Sequence, residues 1–473
     1  MSEPPVSRGP AASDAGLTRS LLTGWGRTAA TAARVLRPST VEQVRDALQM
    51  VRAGGPAPSR GVAVRGLGRS YGDAAQSAGG TVVDLTGLDA VRDLQVREGD
   101  ALLTCAAGAS LHDLLRLLVP QGWFVPVTPG TRYVTVGGAI AADVHGKNHH
   151  RDGSFASHVE SLSLLDGRGE AHLIGPQSDP EAFWATAGGM GLTGVIVEAT
   201  LRLLPVQSSW MLVDTERAAN LDDLLDRLSS RDHLYRYSVA WIDCLATGRS
   251  AGRGVITRGE HAPADALHGR ATARAWAVPS GPLVSLPGPL PAGLLNRASV
   301  AAFNEAWFRK APRHRAGELQ PFPRFFHPLD GVGDWNAVYG RRGFLQYQFV
   351  VPIQREDTLR EVLARLRGAR VPSFLAVLKR FGPADPGPLS FPRPGWTLAL
   401  DIPAGLPGLA GLLDECDLLV AEAGGAVYLA KDSRMRPELL SMMYPRLEEW
   451  KGTRDRLDPD RIFRTDLSRR LNL

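Results

Sequence analysis

The chain has 473 residues, 44% of them hydrophobic and 22% charged, and a formal net charge of +5. That length is too great for one core and implies two or three domains, and the composition is that of an ordinary globular protein. The mild positive balance favours anionic partners such as phosphates or a membrane surface, but there is no dense basic block, so nucleic acid is not an expected partner.

The three cysteines, Cys105, Cys244 and Cys416, are far apart and form neither a disulfide framework nor a zinc motif. No uninterrupted apolar run is long enough to span a bilayer, so any membrane contact is expected to be peripheral. The opening "MSEPPVSRGPAASDAGLTRS" lacks the apolar core of a signal peptide and reads as a disordered tail over residues 1–20. The cytoplasmic side of the inner membrane is the expected location, with export by another route left open.

In chain order, "PSTVEQVRDALQMVRAGG" predicts a helix with a Ser/Thr cap and a stop at Gly54-Gly55. "GVAVRGLG" is a strand feeding a glycine loop, and "GGTVVDLTGL" is a second strand. "ALLTCAAGASLHDLLRLLVPQGW" reads as strand, turn and helix, with Ser110 as the cap. "VESLSLLDGRGEAHLI" is a hairpin turning at Asp166-Gly167-Arg168-Gly169, and "LTGVIVEATLRLLPV" is a long closing strand near Val206. The middle of the chain changes character. The helices "LDDLLDRLSSRD" and "DTLREVLARLRGA" alternate with the strands "YRYSVAWIDC", "FLQYQFVVP" and "WTLALDIP". This predicts a second, antiparallel sheet covered on one side. Ala275 to Arg297 is apolar yet broken by proline and glycine, and is expected to be either a packed irregular segment or a mobile lid.

Three glycine-rich stretches stand out. "RGLGRSYGD" follows a strand, so its backbone N–H groups can approach a phosphate. "PGTRYVTVGGAIAADVHG" carries Gly137-Gly138 and then Ala139, Ala141 and Ala142, a wall thin enough for a flat ring. "FWATAGGMGLTGVIVEATLRLLP" is the third. The cluster His145, His149 and His150 lacks a carboxylate partner and an H-E-x-x-H pair, so no metal is expected. Lys379 in "AVLKRFG" and Lys431 in "VYLAKDSR" sit in apolar surroundings, unlike solvated lysines.

Together these stretches resemble the FAD-binding domain of the vanillyl-alcohol-oxidase-type flavoproteins. With "LTGWGRT", "HPLD", "GFLQYQFV", "AKDSR" and "MYPR", the whole chain from about Leu22 is similar to the decaprenylphosphoryl-ribose 2′-oxidases of that superfamily. The resemblance implies a two-domain α+β fold: an FAD-binding domain over 21–208, an antiparallel-sheet substrate domain over 209–425, and a segment over 426–473 that returns to the flavin. It implies FAD contacts at Arg65, Gly66, Leu67, Gly68, Arg69, Ser70, Tyr71, Gly72, Asp73 and Ala74. Further FAD contacts are implied at Gly130, Thr135, Val136, Gly137, Gly138, Ala142, Asp143, Val144, His145, Ile196 and Tyr428.

Substrate contacts are implied at Tyr71, Lys147, Trp241, Phe326, Gln346, Gln348, Lys379, Phe381, Thr397 and Ala399, and catalytic roles at Lys431, His145 and Lys379. Phe326, Thr397 and Ala399 stand where mycobacterial members have Tyr, Asn and Cys. Arg69 stands where many members of the superfamily attach FAD through a histidine, so non-covalent FAD is expected. The implied activity is oxidation of the C2′ hydroxyl of a polyprenylphosphoryl ribose, with an NAD(P)H-dependent short-chain keto-reductase as partner in supplying cell-wall arabinan. An alditol or aldonolactone oxidase using O₂ on the same fold, and a non-catalytic flavin-binding protein, are the alternatives.

Overall fold

The computed structural model describes residues 16–54, 60–291 and 293–473. Most of the expected N-terminal tail, Gly55 of the helix stop, and Ala292 of the apolar segment lie outside it.

Two sheets build the N-terminal part. Strands β1 (Thr18–Leu22), β2 (Thr31–Leu36), β3 (Val62–Arg65) and β4 (Thr81–Asp84) form a four-stranded sheet in the order β1-β2-β4-β3. Helix α1 (Val41–Arg52) connects β2 to β3; Thr40 caps it by accepting from the Gln43 N–H, and it buries Val44, Ala47, Leu48 and Val51. The second sheet runs antiparallel through β5 (Val91–Arg97), β6 (Asp100–Ala106), β7 (Val159–Leu165), β8 (Ala171–Ile174) and β9 (Val195–Arg202), in the order β5-β6-β9-β7-β8. Its centre is β9, the long apolar strand of the sequence, with β6 on one side and β7 on the other. The β7–β8 turn is held by Asp166, whose Oδ1 accepts from the backbone N–H groups of Arg168 and Glu170 at 2.8 and 2.9 Å. Ser110 caps α2 (Leu111–Leu118).

An eight-stranded antiparallel sheet forms the other half. Its strands are β10 (Trp210–Ala218), β11 (Tyr237–Ile242), β12 (Gly254–His261), β13 (His314–Pro321), β14 (Phe344–Pro352), β15 (Ala376–Phe381), β16 (Gly395–Pro403) and β17 (Ala426–Val427), in the order β13-β10-β12-β11-β15-β16-β14-β17. Period-two alternation divides its faces. Ala240, Leu378, Phe349, Leu398 and Leu400 point into a core with Leu224, Leu228, Leu359, Val362, Leu413 and Val420. These last come from three helices on that face, Leu221–Arg231, Glu356–Gly368 and Leu409–Glu422. The opposite face, with Trp241, Gln346, Gln348, Lys379 and Ala399, turns to a cavity against the N-terminal half.

The C-terminal segment ties the halves together. Ile462 O accepts from the Val62 N–H at 2.7 Å, and the Arg464 N–H donates to Val62 O. Arg470 bridges Asp73 at 2.9 Å and Asp432 at 2.8 Å.

Candidate active site

One cavity of about 690 Å³ runs from the first glycine loop to the face of the eight-stranded sheet. Its first end is built by the chain leaving β3. The backbone N–H groups of residues 66–70 have no acceptor among the described residues, and successive unpaired N–H groups of this kind form an anion-binding nest. The loop is held from outside. Ser70 O accepts from the Trp25 N–H at 2.8 Å, the Tyr71 N–H donates to Ala430 O at 2.9 Å, and the Arg69 guanidinium lies 4.2 Å from the Trp25 ring centroid. Gly66 is obligatory, because a Cβ there would meet Thr135 Oγ1 at 2.2 Å.

The double glycine works differently. At the start of helix α3 (Val136–Ala141), the N–H groups of Val136 and Gly137 donate to Ala109 O and Ala107 O, and that of Gly138 donates to Thr135 Oγ1. None of these is left for an anion. Gly137 instead lets the helix press on the second sheet, since a Cβ would lie 2.9 Å from that of Ala107. The wall of small residues then continues through Gly138, Ala141 and Ala142. A nest for a diphosphate followed by a thin wall for a ring fits FAD.

Beyond the wall lie His145, Lys147, Lys379 and Lys431, with the buried Asp401 near them. His145 is buried, with Nε2 2.9 Å from the Gln348 amide and Nδ1 without a partner. Burial, and the nearby Lys379, His149 and Lys431, hold its pKa well below the usual histidine value, so it is neutral. Lys379 extends from β15, and burial lowers its pKa to about 8. Lys147 donates to Phe325 O and lies 4.2 Å from the Phe325 ring centroid; burial, then Lys379, lowers it to about 7. Lys431 sits 3.9 Å from the Tyr71 ring centroid. Burial lowers the pKa of Lys431, and the Asp401 carboxylate opposes that shift. Asp401 is fully buried: Oδ1 accepts from Gln346 Nε2 at 2.5 Å and Oδ2 has no partner.

Most residues expected at the site line this cavity: Arg65 to Tyr71, Ala74, Gly130, Thr135, Gly137, Gly138, Ala142, Val144, His145, Lys147, Ile196, Trp241, Phe326, Gln346, Gln348, Lys379, Ala399, Tyr428 and Lys431. Others stand behind its wall. Gly72 packs beneath Asp432 O, and Asp73 is taken up by Arg470. Val136 is in the core. Asp143 is buried, accepts from the Ser154 and Ser390 hydroxyls, and serves the loop after β15. Phe381 packs its ring 4.8 Å from that of His145, and Thr397 lies 3.4 Å from the Gln348 amide. His149 accepts from the Gly382 N–H, and His150 Nε2 lies 2.9 Å from Tyr235 O.

Asp401 went unrecognised in the sequence. The alternation of "TLALD" places it on the same face of β16 as Thr397 and Ala399, and that was the available signal. Trp25, Tyr133 and Asp330 also line the cavity; they fall within the stretches "LTGWGRT", "PGTRYVTVGGAIAADVHG" and "HPLD", but no role at the site was expected of these three residues.

These two sheets, the nest and the small-residue wall define an FAD-binding flavoprotein of the vanillyl-alcohol-oxidase type. The family described as FAD binding domain matches residues 32–175. The decaprenylphosphoryl-beta-D-ribose oxidase of Mycolicibacterium smegmatis is 42% identical over 459 residues, which is 96% of this chain and 98% of that one. An uncharacterised protein of Streptomyces coelicolor is 43% identical over 373 residues, covering 77% of this chain and all of that one. The D-arabinono-1,4-lactone oxidase of Eremothecium gossypii is 32% identical over only 147 residues, 27% of its length. The chain belongs to the decaprenylphosphoryl-β-D-ribose oxidase family.

Proposed function

We propose that the protein oxidises the C2′ hydroxyl of a polyprenylphosphoryl-β-D-ribose to the ketone, as the first half of an epimerisation. Lys147, Lys379 and Lys431, half-buried on three separate elements around one cavity and joined there by the neutral His145, carry this reading. Desolvating three lysines is costly, and an anionic substrate offsets that cost.

Bound FAD supplies the hydride acceptor. The Gly66–Ser70 nest and the Gly138–Ala142 wall would hold it. The absence of histidine and cysteine from the Arg65–Ala74 loop supports a non-covalent attachment. Lys431 supplies positive charge where negative charge develops as hydride leaves the substrate carbon. His145 takes the hydroxyl proton. The Gln348 Nε2–H donates to His145 Nε2, which leaves the proton of the neutral imidazole on the unpartnered Nδ1, so Nε2 carries the lone pair and gives up this hydrogen bond to receive the hydroxyl proton. Lys379 and Lys147 hold the phosphate as point charges. The ketone then requires reduction from the opposite face, the work of an NAD(P)H-dependent short-chain reductase in supplying arabinose for cell-wall arabinan. A lipid-linked substrate entails peripheral contact with the membrane.

The test is substrate choice. A short-chain prenylphosphoryl riboside should be oxidised, while free alditols and aldonolactones should not. Turnover of the free polyols without the riboside would return the aldonolactone-oxidase reading.

A further inference from the structure

The segment from Ala275 to Asn296 contains no ionisable residue. Its backbone is pinned: the Leu283 N–H donates to Gly331 O at 2.9 Å, that of Leu286 to Gly333 O at 3.0 Å, and that of Leu290 to Ala337 O at 3.0 Å. Val284 and Ser285 pair as a short parallel ladder with Val332 and Gly333. Its side chains are nevertheless turned outward. Leu283 is 92% exposed, Val284 58% and Leu294 50%.

The helix that follows, Arg297–Lys310, continues the surface. Phe303 and Trp307 stack at 6.0 Å, and each is 44% exposed. Pro282, Ser285 and Trp307 also line the cavity, so the apolar surface frames its mouth.

Charge around this patch is mainly basic, with the exposed Asp334 beside Gly333 as an acidic exception. Arg270 and Arg274 precede the strap, and Arg297 and Lys310 lie on the helix, none paired with a carboxylate among the described residues. The one acidic side chain of the helix, Glu305, is held by Arg253 at 2.6 Å and by Arg309 at 2.5 Å. An uncharged apolar platform with basic flanks matches the interface of an anionic bilayer: apolar side chains enter the acyl boundary while cations meet the headgroups.

We propose that the strap and the outer face of the Arg297–Lys310 helix form one docking surface for an anionic lipid bilayer, with the cavity opening inside it. The purpose of this surface rests on the lipid-linked substrate proposed above, but its existence is testable without substrate. Because the backbone is pinned, the surface docks preformed, with little ordering cost. A prenyl chain then enters the cavity without crossing water.

The experiment is sedimentation of the FAD-loaded protein with vesicles of phosphatidylcholine, with and without phosphatidylglycerol, at low and high salt. It is run on the parent and on the Leu283→Asp/Leu294→Asp variant, neither position lining the cavity. Expected is binding that needs phosphatidylglycerol, weakens with salt, and falls at least about tenfold in the variant, because two apolar anchors are replaced by like-signed charges facing the lipid. In the same preparations, oxidation of a soluble short-chain riboside should be unchanged, which separates this surface from the substrate reading. Binding indifferent to phosphatidylglycerol, binding retained by the variant, or no binding by the parent would each overturn the proposal. Self-association lost in the variant without vesicle binding would also overturn it, assigning the patch to a second copy of the chain.

Discussion

Lys431 is a half-buried cation with an aromatic ring beneath it and the Asp401 carboxyl close enough to oppose the lowering of its pKa. It has no hydrogen-bond acceptor of its own among the described residues, so its charge is available to a reacting group. Lys431→Ala should leave a folded yellow protein whose flavin is scarcely reduced by substrate. Losing one donor aimed at developing charge raises the barrier by about 2.7–4 kcal/mol. Rapid-mixing spectroscopy reads this directly, and near-normal reduction would pass the role to Lys379. Lys379 itself makes a prediction about pH. Its folded pKa, about 8, lies below the free value of 10.5, so the folded protein binds fewer protons than the unfolded chain between those values. Such a group costs stability in full below pH 8, and the cost is relieved as pH rises from 8 toward 10.5. Lys379→Met should therefore raise the melting temperature at pH 7, by up to about 3 kcal/mol of stability, less because the cavity admits water. The gain should shrink above pH 8, and the KM for the anionic substrate should rise. Calorimetry across pH 6–10 checks it; a constant gain would mean that charge is not its cause.

Ala399 gives the sharpest contrast. It lines the cavity, whereas Cys105, Cys244 and Cys416 are all buried elsewhere, and burial pushes the Cys105 and Cys416 thiols up to about 12. The native protein should resist inactivation by a thiol-directed reagent small enough for the cavity. Ala399→Cys should be labelled there and blocked. Mass spectrometry locates the adduct, and labelling of the native chain in the cavity would contradict the placement of β16.

At the scale of elements, the first glycine loop and the double glycine have separate work. The loop offers free N–H groups; the double glycine has none to offer and serves close packing. Gly66→Ala should lower FAD occupancy severalfold with little change in far-ultraviolet circular dichroism, because the intruding methyl displaces the loop from Thr135 and leaves the sheets intact. Flavin that remains should leave the polypeptide on acid precipitation; flavin retained on the precipitate would show a covalent bond. Elements with a strong period were legible in the sequence: α1, the caps at Thr40 and Ser110, β9, and the strands carrying Lys379 and Gln348. Others were not. β13 reads "HRAGELQP", an edge strand whose charges face water on both sides, so no alternation marks it. The Arg297–Lys310 helix keeps Phe303 and Trp307 outside, which blurs the apolar stripe by which a helix is recognised.

At the scale of the whole molecule, the cavity is a product of topology. Residues more than 350 positions apart, Tyr71 and Lys431 among them, meet only because the C-terminal segment crosses back over both sheets. Periodicity places each on its own element but says nothing of such meetings, which is why Asp401 behind Lys431 escaped notice while the lysines did not. The central claim is that this assembly removes hydride from the C2′ carbon of a prenylphosphoryl riboside. It is tested most directly by anaerobic mixing of the FAD-loaded protein with a synthetic short-chain prenylphosphoryl-β-D-riboside and with its 2′-deoxy analogue. Bleaching of the flavin band by the riboside alone, with a product lighter by two hydrogens, is the predicted result; an unbleached flavin with the riboside, or equal bleaching by the 2′-deoxy compound, would contradict it.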